Sequence, residues 1–237
     1  MDNEVHLPLN AKRFSWNRQF YEEEFKGILY ICYCAYKCLL DDRIKLVDDE
    51  NTIRDEIFSR YLGNQSFLDS MRCEDYLFDK EVPEYDGRID IRVMPVGKGF
   101  RGRDAYYIIE CKRLNNSQRE SVHGLNAKYV ANGIYRFVSN YYSCRLSCNG
   151  MFGFVVSKMN IEKNIKSINS LLGKVITNDK GDSVVVPSSG VLRRLRNVMP
   201  GFSQVYRSKH ITADGSKIVL YHLMFDVSKN IVPESAT

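Results

Sequence analysis

Two short apolar runs lie on either side of a glycine-rich, basic stretch, and each carries its polar residues at alternate positions. In the first, Ile89, Ile91 and Val93 alternate with Arg88, Asp90 and Arg92. In the second, Tyr106-Tyr-Ile-Ile leads into Glu110, Cys111 and Lys112. Period-two alternation predicts β-strands. Residues i and i+2 of a strand share a face, so Glu110 and Lys112 project together and Cys111 projects to the other side. Gly97, Gly99 and Gly102 between the runs suit a hairpin connection, which brings Asp90 beside Glu110.

Two carboxylates and an amine on one face point to chemistry. Carboxylate oxygens are the ligands Mg²⁺ prefers, one or two of them with water and substrate phosphate completing the octahedron. An adjacent lysine stabilises developing negative charge or orients an attacking water. A bound divalent ion lowers the pKa of its water and offsets charge on a phosphoryl oxygen. The chemistry indicated is metal-assisted hydrolysis of a phosphodiester. A bare Glu-X-Lys is also what a solvated pair on an edge strand looks like, so the neighbouring elements matter.

Asp90, a connection of 19 residues, and Glu110-Cys111-Lys112 together resemble the PD-(D/E)XK nuclease superfamily, the fold of many restriction enzymes and of archaeal Holliday-junction resolvases. Ile89 stands where that pattern usually has proline or a small residue. The resemblance covers residues 50–157. It implies an α/β, restriction-endonuclease-like core with a central mixed sheet of four to five strands flanked by helices. An extra N-terminal helical segment (1–45) and a strand-containing C-terminal extension (158–237) would complete a single domain. It further implies that Asp90 and Glu110 bind Mg²⁺, for which Mn²⁺ substitutes, and that Lys112 assists the nucleophile. An acidic residue on the helix before the sheet joins the metal site in such proteins. Glu50-Asn51-Thr52-Ile53 has the matching form, with Glu56 the alternative. The activity implied is a Mg²⁺-dependent endonuclease acting on DNA, in restriction or anti-phage defence. A non-catalytic nucleic-acid-binding subunit on the same scaffold is the alternative. So is a nuclease switched on by a partner ATPase or helicase. No Gly-x-x-x-x-Gly-Lys-Ser/Thr occurs in the sequence, so any ATPase is a separate chain. Many relatives act as homodimers.

The net charge of +5 is compatible with a nucleic-acid partner without requiring one. Charged residues make up 27% of the chain, which excludes a disordered or membrane-embedded class. Seven cysteines without a Cys-X-X-Cys pair exclude the common zinc patterns and suit a reducing cytoplasm. The sequence starts without a basic or apolar leader, and residues 28–40 are too short to span a bilayer, so no membrane association is expected.

Spacings near three and four predict a helix over 16–40, with Phe20, Phe25, Ile28, Leu29, Cys32, Tyr36 and Leu39 on its apolar side. This helix is a buried core element or, on the sharper reading, an association surface. A second helix spans 50–62 and ends at Gly63-Asn64. Residues 66–80 are ambiguous, with Tyr76-Leu77-Phe78 a candidate first strand. A helix over about 124–142 places Gly133 for close approach to the sheet, with Lys128 and Arg136 flanking its apolar stripe. The Gly150–Ser157 run reads as a fourth strand, 160–173 as an amphipathic helix, 184–186 as a short strand and 218–227 as a buried strand. Basic residues expected against nucleic acid are Lys98, Arg101 and Arg103 in the glycine-rich loop, Arg113 and Lys128 near the site, and Arg193, Arg194 and Arg196 in a C-terminal cluster with Phe202 and Tyr206. A solvated basic face explains any of these equally well. His123 and Gln118 follow Lys112 in a polar segment, and His222 reads as a core-adjacent residue with a local hydrogen bond.

Overall fold

A computed structural model describes residues 15–84, 87–96, 105–142 and 146–233. Helix α1 (Ser15–Asp41) precedes α2 (Glu50–Ile57), which runs on into a π-helical turn (Phe58–Leu62) and is followed by α3 (Gln65–Ser70). Asp49 caps α2 by accepting the Thr52 N–H. Strands β1 (Tyr76–Glu84), β2 (Gly87–Pro95) and β3 (Tyr107–Leu114) come next. The following helix is α4 (Leu125–Lys128), a π-helical turn (Tyr129–Ile134) and α5 (Tyr135–Val138). Then come β4 (Cys148–Val155), α6 (Ile161–Leu171), the two-residue strands β5 (Ile176–Thr177), β6 (Ser183–Val184) and β7 (Arg193–Arg194), and finally β8 (Val205–Ile211) and β9 (Lys217–Asp226).

Seven strands form one mixed sheet in the order β1-β2-β3-β4-β9-β8-β7. The pairs β1–β2 and β2–β3 are antiparallel, β3–β4 and β4–β9 are parallel, and β9–β8 and β8–β7 are antiparallel. The expected four- to five-stranded sheet is therefore too small. The C-terminal residues extend the sheet rather than append to it, because β9 pairs in parallel with the whole length of β4. The segment read as a basic cluster hides β8, whose Tyr206, Ser208 and His210 are buried while Arg207 and Lys209 alternate with them on the other face.

Both faces of the sheet are covered. One core packs α1 and α2 against Ile91, Val93, Tyr107, Ile109 and Cys111. The other packs the α4–α5 helix and α6 against Ile108, Leu114, Met151 and Val155. This explains why every residue of β4 is buried, as expected of a central parallel strand. Phe25, Ile28, Leu29, Cys32, Tyr36 and Leu39 of α1 line the first core, so its apolar side is taken up by its own sheet. Phe20, assigned to that side from the spacing, is 57% exposed. Gly133 behaves as the sequence suggests: a Cβ there would come within 2.3 Å of Met151 Cε and 3.4 Å of Lys112 Cγ. No described helix is long and apolar enough to cross a membrane.

The β2 alternation slips once. Ile91 and Val93 face the first core, but Ile89 faces the second, so the three do not share a face as the alternation implied. The β1–β2 ladder pairs Lys80 with Ile91 and Val82 with Ile89, and leaves Glu81 and Asp90 between them unpaired. Glu81 has φ +52° in mid-strand, a conformation non-glycine residues seldom adopt. Irregularities of this kind re-aim side chains and concentrate near functional sites.

Candidate active site

The irregularity falls at Asp90. The β2–β3 register pairs Ile91 with Ile109 and ends there. Asp90 is the next residue along β2 and Glu110 the next along β3. Beyond that point the strands part, and the Asp90 side chain enters the gap: its Oδ2 accepts the Cys111 N–H at 2.7 Å. Glu110 and Lys112 project to the side of Ile108 and Leu114, toward the α4–α5 helix, and Cys111 projects to the α1 side. The strand alternation read from the sequence therefore holds for β3.

Each acid is held by named partners. Asp90 Oδ1 accepts from Arg54 Nη1 at 3.0 Å. Arg54 is buried and also pairs with Asp55 at 2.9 Å and Glu81 at 3.1 Å. Glu110 is fully buried, and its Oε1 lies 2.8 Å from Lys112 Nζ and 2.7 Å from Arg136 Nη1. Its Oε2 accepts from the Tyr142 hydroxyl. Glu50, at the start of α2, reaches Lys112 Nζ at 2.9 Å through Oε1 and the Arg113 backbone N–H at 2.9 Å through Oε2. Of the two helix acids, Glu50 is the one that comes to the site. Glu56 pairs with Arg60 at 2.5 Å, one turn along its own helix.

Electrostatics follow from burial. Loss of solvent pushes the Glu110 carboxyl up to about 7 and the Asp90 charge adds to the push, while Lys112 and Arg136 pull against it. Burial disfavours the Lys112 ammonium, but the charges of Glu110, Asp90 and Glu50 outweigh that cost and keep it protonated. Cys111 sits well above its ordinary range, chiefly through burial, and is not a nucleophile at neutral pH.

A cleft of about 150 Å³ opens beside these residues, lined by Glu50, Lys112, Arg113, Leu125, Lys128, Asn132 and Asp179. Asp179 belongs to the β5–β6 hairpin, which docks on the helix. Its N–H donates to Asn132 at 2.9 Å, and Lys128 lies 3.9 Å from its carboxylate. Arg113 pairs with Asp48 at 2.7 Å.

The C-terminal basic residues do not gather here. Arg193 and Arg194 form β7, four strand steps from β3, which is roughly 19 Å at ~4.8 Å per step. Arg194 pairs with Glu162, and Arg196 is exposed beyond the same edge. Lys98, Arg101 and Arg103 lie outside the described residues. His123 is an exposed loop residue. His222 is fully buried in a chain of hydrogen bonds through Tyr129, Ser208 and His210.

Sequence reasoning did not assign Arg54, Arg136, Tyr142, Asn132 or Asp179 to the site. Arg54 falls one helical turn after Glu50, a spacing that puts the two on one side of the helix. Tyr142 and Asp179 lie outside any motif, and only the packing of the helix and the hairpin brings them in.

Asp90, Glu110 and Glu50 supply the hard oxygen donors that Mg²⁺ takes. Among the described residues, no three His, Cys, Asp or Glu side chains are grouped as a metal cage. Mg²⁺ usually takes one or two carboxylates, with water and phosphate completing the shell, and Asp90 and Glu110 match that need in donor chemistry. Comparison with protein-family models, with curated proteins and with solved structures returns no match.

Proposed function

We propose that the chain is a metal-dependent nuclease hydrolysing phosphodiester bonds, with DNA as substrate, built on a restriction-endonuclease-like core. The observation that carries this reading is the linked set Glu110–Lys112–Glu50 on β3 and α2, next to the point where β2 and β3 part and Asp90 accepts the Cys111 N–H. The order of elements supports it as well: a helix bearing an acid, three antiparallel strands, a helix, then a strand parallel to the third.

Asp90 and Glu110 would hold Mg²⁺, with Glu50 on the more open side. The ion supplies a water of lowered pKa and a positive charge against the phosphoryl oxygen. Lys112 keeps its proton at neutral pH, so its role is to orient the attacking water and stabilise negative charge rather than to act as a base. Lys128 and Arg113, which line the cleft, would contact the backbone phosphates. Six free thiols among the described residues suit a reducing, cytoplasmic setting.

The test is nicking of supercoiled plasmid with Mg²⁺, with EDTA, and with Lys112→Ala. Mg²⁺-dependent nicking that Lys112→Ala abolishes supports the proposal. Nicking indifferent to both counts against it.

A second reading is favoured by the charge balance: Glu50, Asp90 and Glu110 already face three cations, Lys112, Arg54 and Arg136. On that reading the same scaffold binds nucleic acid without cleaving it. Binding would then show a steep salt dependence and survive Asp90→Ala.

A further inference from the structure

Glu110 has no access to solvent, and each of its oxygens is taken. Lys112 belongs to the proposed chemistry, but Arg136 does not. Its guanidinium brings a full positive charge within 2.7 Å of Glu110 Oε1. At that distance, in a poorly solvated setting, a fixed charge competes directly with any other cation for the same carboxylate. Arg54 has the matching place at Asp90, but it is nearly inaccessible and tied to three carboxylates, so moving it breaks three ion pairs at once.

Arg136 differs from Arg54 in having somewhere to go. Its side chain is 29% exposed, and its guanidinium lies 5.4 Å from the centre of the Tyr141 ring. The guanidinium can therefore leave Glu110 while keeping its contact with the ring. Tyr142 remains as a neutral donor to Glu110 when Arg136 moves.

We propose that Arg136 is a built-in counter-cation that holds Glu110 in the metal-free protein and lowers its affinity for a divalent ion. It is a positioning residue acting through Glu110. The proposal rests on the reading of Asp90 and Glu110 as metal-binding acids. In the resting protein Arg136 keeps the site closed to metal, and the ion gains the carboxylate only as the guanidinium gives it up. The charge, rather than the bulk, of residue 136 then sets the affinity.

The experiment is Mn²⁺ binding, followed by electron paramagnetic resonance of free Mn²⁺, for the full chain and its Arg136→Gln and Arg136→Lys variants. Circular dichroism melts confirm folding, and Arg136→Met replaces Arg136→Gln if the latter does not fold. Arg136→Gln is expected to bind Mn²⁺ at least tenfold more tightly than the unmodified chain, and Arg136→Lys to stay within about threefold of it. Equal or weaker binding by Arg136→Gln, or equal shifts in the two variants, overturns the role of Arg136 while leaving the metal site standing. Absence of Mn²⁺ binding in all the proteins overturns the metal-binding reading and this proposal with it.

Discussion

The Asp90 carboxylate takes the place of a strand: its Oδ2 accepts the Cys111 N–H that a β2 carbonyl would otherwise receive, at 2.7 Å, while Oδ1 pairs with buried Arg54 at 3.0 Å. One side chain therefore closes the gap in the ladder and carries charge to the site.

Substitutions at Asp90 separate the two roles. Asn keeps an acceptor for the Cys111 N–H but loses the charge facing Arg54, which retains Asp55 and Glu81. Asp90→Asn is expected to lower stability by about 1–2 kcal/mol, and Asp90→Ala, which also leaves the Cys111 N–H without its acceptor, by about 2–4 kcal/mol. Urea unfolding midpoints measure both, and equal losses would show that the backbone contact contributes nothing.

Lys112 lies between Glu110 and Glu50 at 2.8 and 2.9 Å. If it orients water at a metal centre, Lys112→Ala should lower the plasmid-nicking rate by at least about 100-fold. A drop of less than tenfold in a folded variant would remove Lys112 from the chemistry.

Glu110 gives the site a pH dependence with a definite sign. Its folded pKa of about 7 lies above its ordinary value of 4.5, so protonation is favoured in the native state. Its contribution to stability is full below about 4.5 and is lost as pH rises through 7. Metal must displace that proton, so apparent Mn²⁺ affinity should climb with pH up to about 7 and then level off. A flat profile from pH 5.5 to 8 would place the carboxyl in the ordinary range.

The buried histidines titrate in the opposite sense. Burial lowers His210 from 6.5 to about 4, and burial with the neighbouring His210 lowers His222 well below its ordinary value. Ser208 bridges their Nε2 atoms at 2.7 and 2.8 Å, and Tyr129 reaches His222 Nδ1 at 2.8 Å. Groups kept neutral in this way favour folding above the unfolded pKa, and that contribution fades as pH falls from 6.5 through 4, worth roughly 3 kcal/mol for His210. Glu110 acts oppositely within that window, so imidazole ¹⁵N shifts are the clean measurement. Both rings should stay neutral down to pH 5, and titration of either near 6.5 would contradict the network.

Gly133 is fixed by proximity. Alanine there meets Met151 Cε, the end of a flexible side chain, at 2.3 Å in a buried site, so Gly133→Ala should cost no more than about 1 kcal/mol as Met151 shifts. Met151→Ala in the same chain should recover part of that loss, visible as non-additive melting temperatures. Additive losses would mean that the helix and β4 do not touch at this point.

The sequence alone was enough for whatever depends on period and type. Alternation located β2 and β3, and a near-continuous apolar run located β9. Three- and four-residue spacing located α1, the helix at residue 50 and the helix holding Gly133. The i, i+2 rule put Glu110 and Lys112 on one side of β3. These features are legible because they repeat along the chain. The slip at Asp90, the reversal of Ile89, the strand formed by Val205–Ile211, and the approach of Arg54, Arg136, Tyr142 and Asp179 were decided only by the tertiary structure. They depend on which distant segments are brought together to bury the two cores, and a buried carboxylate must find its counter-charge wherever that packing supplies one.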